Sequence, residues 1–186
     1  MAIHKKYFYF LLFLTIAACH GGPNDFSYKY EFTGVSVFNG HNLSEDPEIS
    51  TLDSIPLNTY VTEVILAHEI IAEGHGIADW DHPPENLNRI DSLALTSNAD
   101  FNVDYPAGSL LNDNFLYFSS SYFNLKPLDN FHPTEANSNY EKPISDTLHF
   151  VLMEQAAYAT THIFKIELFM NDGTVLTDST DQIKLY

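Results

Sequence analysis

The chain has 186 residues, with 25 Asp+Glu against 8 Lys+Arg and a formal net charge of −17. So acidic a surface argues against nucleic acid as a partner, because phosphate binding depends on Lys and Arg. It also argues against electrostatic attachment to anionic lipid headgroups. Aromatic residues are plentiful (14 Phe, 11 Tyr), so a packed core is expected rather than a charged disordered chain.

The N-terminus opens with His4, Lys5 and Lys6, followed by an uncharged apolar run over residues 7–18. A membrane-spanning helix needs about 20 apolar residues, so this run suits the apolar region of an export signal. Ala17 and Ala18 then precede Cys19, the only cysteine. The order Ile16-Ala17-Ala18-Cys19 resembles the bacterial lipobox, in which the cysteine becomes the first residue and carries the lipid. The resemblance implies a signal peptide over 1–18 and a membrane anchor of acyl chains, palmitate among them, on Cys19. Two or more chains give stable attachment where one is marginal. His20 stands where an Asp would retain such a protein at the inner membrane, so an outer-membrane location is expected. No second thiol exists, so no disulfide can brace the domain.

Without residues 1–18 the chain has six Lys+Arg against 25 Asp+Glu, a net charge of −19. Residues 19–26 read as a lipidated tether, and 27–186 as a single domain. Tyr28, Tyr30 and Phe32 alternate with Lys29, Glu31 and Thr33, a half-buried strand pattern. At Gly34 the phase slips to Val35 and Val37, which predicts a β-bulge. Residues 59–73 (TYVTEVILAHEIIAE) fit a strand face through Tyr60, Val64, Leu66 and Ile70. They also fit a helix face through Val61, Val64, Ile65, His68 and Ala72. The β-branched first half favours a strand that frays into a helical turn. Further strands are expected over 89–97, 114–121, 147–154, 162–170, 174–177 and 182–186, with a tight turn at Asn171-Asp172-Gly173. Loops are expected over 45–58, 74–88, 99–113 and 125–146. Seven or eight short strands joined this way predict an all-β fold, an antiparallel β-sandwich of immunoglobulin-like or transthyretin-like type with long polar loops.

Residues 90–112 (IDSLALTSNADFNVDYPAGSLLN) resemble a signature of uncharacterised lipoproteins of Bacteroidetes. That family has no assigned activity, so the resemblance implies no functional residue. Bacteroidetes also O-glycosylate exported proteins at Asp, then Ser or Thr, then a small or aliphatic residue. Segments starting at Asp53, Asp91, Asp146 and Asp178 resemble that motif. Ser54, in an expected loop, is the most accessible candidate, and Ser92, in an expected strand, is less so.

The chemical motifs are sparse. His68-Glu69 lacks the second histidine of a zincin, because position 72 is Ala72. His75, Asp79, Asp81 and His82 share one loop, and imidazole with carboxylate suits zinc. The bland alternative is a solvated acidic loop. Asp100, Asn102 and Asp104 have the one-three-five spacing of a calcium loop, but Tyr105 and Leu111 replace the Gly and Glu of an EF-hand. Such residues more often cap turns. Trp80, between Asp79 and Asp81, offers a face for stacking on a sugar or an anchor onto the domain. Gly108-Ser109 is no nucleophile elbow, since position 111 is Leu111. The reading is therefore a lipid-anchored, non-enzymatic binding or assembly module of the cell envelope, with a glycan or envelope protein as partner. The alternative is a metal-binding protein or metal-dependent hydrolase holding Ca or Zn in the His/Asp loop.

Overall fold

A computed structural model describes residues 29–43, 47–71, 85–119, 122–128, 131, 147–153 and 160–186. The chain forms β1 (Lys29–His41), β2 (Glu48–Ile49), β3 (Ser54–Ile55), β4 (Tyr60–Ile70) and β5 (Glu85–Asn86). It continues through β6 (Ile90–Ser97), β7 (Phe115–Ser119), β8 (Tyr122–Pro127) and β9 (Thr147–Leu152). It ends with β10 (Thr161–His162), β11 (Phe164–Met170), β12 (Val175–Ser179) and β13 (Ile183–Leu185).

The first layer has the strand order β2-β1-β4-β9-β7-β8, with β5 also on β1. The second layer consists of two three-stranded sheets, β12-β11-β6 and β10-β13-β3. These two are parts of one long hairpin. Ile163 alone separates β10 from β11, and Phe164 and Thr180 exchange hydrogen bonds of 2.8 and 3.0 Å across the break. His162 pairs with Ile183 and Lys165 with Ser179, which leaves one extra residue on the β12–β13 side. An extra residue of this kind bends a hairpin.

Apart from the edge strand β8 beyond β7 and the strands of two or three residues, the layers are β1-β4-β9-β7 and β6-β11-β12. Lettered in chain order, they read A-B-E-D against C-F-G, the constant-type immunoglobulin connectivity. The expected antiparallel sandwich is present, and its strand order is that of the immunoglobulin type. Two short contacts are parallel, β1 with β5 and β3 with β13.

The residues explain these elements. The phase slip at Gly34 is a bulge: Phe32 pairs with His68 and Gly34 with Ala67, so Thr33 has no partner. Tyr30, Phe32 and Val37 are buried on either side of it. The described part of the ambiguous segment is a continuous strand from Tyr60 to Ile70, because it pairs with β1 and β9. Residues 171–173 turn as expected. The Gly173 N–H donates to the Met170 carbonyl at 3.0 Å, and Gly173 takes φ +88°, a conformation costly for any side chain. The expected loop over 45–58 is a correction: it carries β2, β3 and a 3-10 turn over Leu57–Thr59. The expected loop from residue 125 likewise begins as strand, through Pro127.

The layers meet through rings. Phe164 of β11 lies 5.1 Å from Tyr60 of β4 and 5.9 Å from Phe115 of β7, centroid to centroid, and all three are fully buried. Burying one such ring contributes roughly 1.5–3 kcal/mol. Below them runs a buried polar chain. The Tyr60 hydroxyl donates to Asn39 Oδ1 at 2.8 Å and accepts from Thr62 Oγ1 at 3.2 Å. Asn39 Nδ2 donates to the Asp181 carbonyl at 2.8 Å, which ties the first layer to the second.

The outer edges of β1 and β6 are sealed by side chains. Asn88 accepts the Phe32 N–H at 2.7 Å and donates to the Phe32 carbonyl at 2.9 Å. Asn112 accepts the Leu95 N–H and donates to the Leu93 carbonyl, both at 3.0 Å. Each buried amide therefore stands in for a neighbouring strand. Farther along β1, Asp178 of β12 accepts the Val37 N–H at 2.8 Å. An edge closed in this way cannot pair with another chain.

Two predictions follow from these contacts. Asn112→Ala strands a buried N–H and a buried C=O, so urea unfolding is expected to show a loss of about 2–4 kcal/mol. Tyr60→Phe keeps the ring packing but removes the hydroxyl from its chain, and the same measurement is expected to show a smaller loss of about 1–2 kcal/mol.

Candidate functional site

The sequence-predicted residues divide into two groups. Cys19, His75, Asp79, Trp80, Asp81 and His82 lie outside the described residues. Ser54, Asp100, Asn102 and Asp104 lie within them.

The loop carrying Asp100, Asn102 and Asp104 is built on its own amides. Asp100 Oδ1 accepts the Ala107 N–H at 2.8 Å. Asn102 Oδ1 accepts the N–H groups of Asp104 and Tyr105 at 2.9 and 3.0 Å. The Phe101 N–H donates to the Tyr105 carbonyl, and the Phe101 ring is fully buried against Phe115. The oxygens of Asp100 and Asn102 thus hold a turn closed. Among the described residues, no three His, Cys, Asp or Glu side chains converge as a metal would require.

Accessibility of the glycosylation-like motifs reverses the sequence expectation. Ser54 is not in an open loop but in β3, half-buried and in register with Lys184. Ser92 in β6 is exposed, as is Asp91. The cause is a shift in register: Phe169 pairs with Ser92 and Met170 with Ile90, so Asp91 is bulged and two successive residues face outward. Asp146 of the third motif lies outside the described residues, and in the fourth the side chains of Asp178 and Thr180 accept backbone N–H groups.

One pair has the chemistry of a nucleophile and its base. Ser97 Oγ and His162 Nδ1 share a hydrogen bond of 2.9 Å. Ser97 is 4% exposed and His162 is fully buried, so substrate has no access. The His162 ring stacks on Phe164 at 5.4 Å and meets Phe101 edge-on at 5.9 Å. Ser97 Oγ also accepts the Ala99 N–H. The pair fastens β10 to the end of β6, and its role is structural.

The surface feature that stands apart is the outer face of the first layer. Residues on that side follow from the register. One row runs Ile49, Gly40, Val61, Val151, Leu116 and Pro127. The next runs Phe38, Glu63, His149 and Phe118. The outward face of a sandwich is ordinarily polar. Here Val61 and His149 are buried at its centre, and Phe38, Ile49 and Leu125 are 37%, 46% and 52% exposed toward its rim. Gly40 is needed in the first row, because a Cβ there would meet the Glu48 carbonyl oxygen at 3.0 Å. His149 and Phe118 stack with centroids 4.8 Å apart.

Glu63 is the anomaly of this face. It is half-buried between Phe38 and His149 in the register. Burial raises its carboxyl above the ordinary value, because desolvation disfavours the charged form. The residues around Glu63 were not singled out by motif. Their one signal in the sequence is a single acid inside an otherwise uncharged run over 59–68.

The sign of the Glu63 effect is testable. Its folded-state carboxyl binds its proton more readily than the unfolded one. The strain of a charged Glu63 is therefore fully present above its folded pKa and is relieved as pH falls through it. Glu63→Gln is expected to raise Tm at pH 7 by about 2 °C. In a pH series of thermal melts, that advantage should shrink as the pH approaches the ordinary carboxylate range. An equal Tm difference at pH 7 and pH 4 would show that desolvation of the charge is not the cause.

No family model matches the chain, and no curated protein matches it at a significant level.

Proposed function

We propose that the protein is a lipid-anchored component of the bacterial cell envelope, attached to the outer membrane through Cys19. Its immunoglobulin-type sandwich acts as a non-enzymatic binding or assembly module for a glycan or an envelope protein. The N-terminal signal supports the anchor. The observation that carries the module reading is the outer face of the first layer. Phe38, Ile49 and Leu125 are exposed there beside Ile65, Leu116, Val151 and Phe118, where a free-standing sandwich needs polar side chains. Contiguous apolar surface of this kind marks interaction sites. Among the described residues no helix is long and apolar enough to cross a membrane, and the proposed attachment needs none.

The anchor and the module are tested separately. Cells grown with radiolabelled palmitate are expected to label the wild-type protein, and Cys19→Ser should abolish the label and release the domain from membranes. A wild-type protein that takes up no label, or whose mature N-terminus is not at Cys19, would end the anchor reading. For the module, a photocrosslinker at Phe38 is expected to capture one dominant envelope component in cells, and one at exposed Thr177 on the opposite layer is not. Identical products from both positions would remove the support for this face.

A further inference from the structure

Glu63 carries a charge where the fold gains nothing from it. No hydrogen bond or ion pair holds its carboxylate among the described residues. The described cations sit elsewhere. Lys165 pairs with Glu167 at 2.9 Å on the second layer, and Lys184 belongs to β13 of that layer. Lys29 starts β1 beside β5, nine residues along the strand from Phe38. Lys126 is in register with Tyr117, whose parity is that of the inner face. Arg89 precedes β6, and its carbonyl accepts the Asn171 N–H beside the second-layer turn. Thr147, half-buried on the same face of the sheet, carries no charge. A half-buried carboxylate is costly unless paired.

The surroundings specify what would pair with it. Phe38 lies directly across from Glu63 and is 37% exposed, so a partly exposed ring and a carboxylate form one cross-strand pair. Cross-strand neighbours of this kind lie about 5 Å apart at Cβ. An arginine side chain meets both demands. Its planar guanidinium stacks on an aromatic ring, bonds a carboxylate with two parallel N–H groups, and tolerates partial burial better than an ammonium. Its alkyl stem covers apolar surface such as Ile65. The chain's net charge of −17 also steers a cationic partner toward this surface.

We propose that Glu63 and Phe38 form a receiving site for an arginine side chain presented by a partner protein. This rests on the binding-module reading and names the chemistry of its partner. Arginine is among the residues that dominate protein interfaces, and its partners are desolvated acids and aromatic rings.

The test uses the soluble Cys19→Ser chain and N-acetyl-arginine amide as probe, followed by NMR. Saturable shifts are expected, confined to backbone amides of β1 around Phe38 and β4 around Glu63. The neutral isostere N-acetyl-citrulline amide should give none. Glu63→Gln is expected to weaken binding at least tenfold, and Phe38→Ala severalfold. Glu69→Gln, which removes an exposed acid from the same strand, should change it less than twofold. Thermal melts confirm that each variant is folded. Non-saturable shifts spread over the acidic surface, or equal effects of Glu63→Gln and Glu69→Gln, would overturn the arginine site. Crosslinking at Phe38 could then still capture a partner, so that result leaves the module reading standing. Loss of the crosslink with intact arginine binding would do the reverse.

Discussion

Everything in this fold depends on two layers being held together without a covalent bond. Immunoglobulin domains commonly join strands B and F by a disulfide. Here Cys19 is the only thiol, and it precedes the domain. The corresponding strands are β4 and β11, and what joins them is the contact of Tyr60 with Phe164. Ring packing is weaker per contact than a disulfide but gains from number. Phe164 also meets Phe115 and His162, and Phe101 meets both of those. The polar chain from Thr62 through Tyr60 and Asn39 to Asp181 then sets the alignment of the layers, because its hydrogen bonds are directional where ring contacts are not.

The second constraint is the sheet edge. A sandwich of short sheets exposes many strand edges, and each is a template for unwanted pairing. Side-chain amides supply the solution at two positions. A side-chain amide presents an N–H and a C=O side by side, as one strand residue does toward its neighbour, so Asn88 and Asn112 replace one residue of a missing strand. The loop after β6 continues the seal on that strand, with Gly108 donating to the Ser97 carbonyl and Leu111 to that of Leu95. Asp100 and Asn102, which look like metal ligands in the sequence, are used to close backbone.

Against this background the outer face of the first layer is out of keeping with stability alone. A charged, half-buried Glu63 weakens the fold, whereas the buried side chains of Asn39, Thr62, Asn88 and Asn112 are hydrogen-bonded. Groups that cost stability are commonly kept where function needs them. That physical contrast separates Glu63 from described acids such as Asp91, Asp104 and Glu69, which are exposed, and from Asp178 and Glu167, which are bonded.

Much of the architecture was legible from the residues. Alternation in 29–41 and 162–170, the glycine at the phase slip, and the Asn-Asp-Gly turn all act over a few residues, so local chemistry decides them. The lone cysteine likewise settles that no disulfide forms within residues 1–186. Tertiary structure decided what depends on distant neighbours. Residues 59–73 fit a helix face as well as a strand face, with the β-branched first half favouring strand. Pairing with β1 carries β4 on as strand to Ile70. Ser97 and His162 are 65 residues apart, and nothing local brings them together. Glu63 reads in the sequence as one acid among 25. Its distinction comes from register, which sets Phe38 on one side and His149 on the other, and register is a property of three strands rather than one.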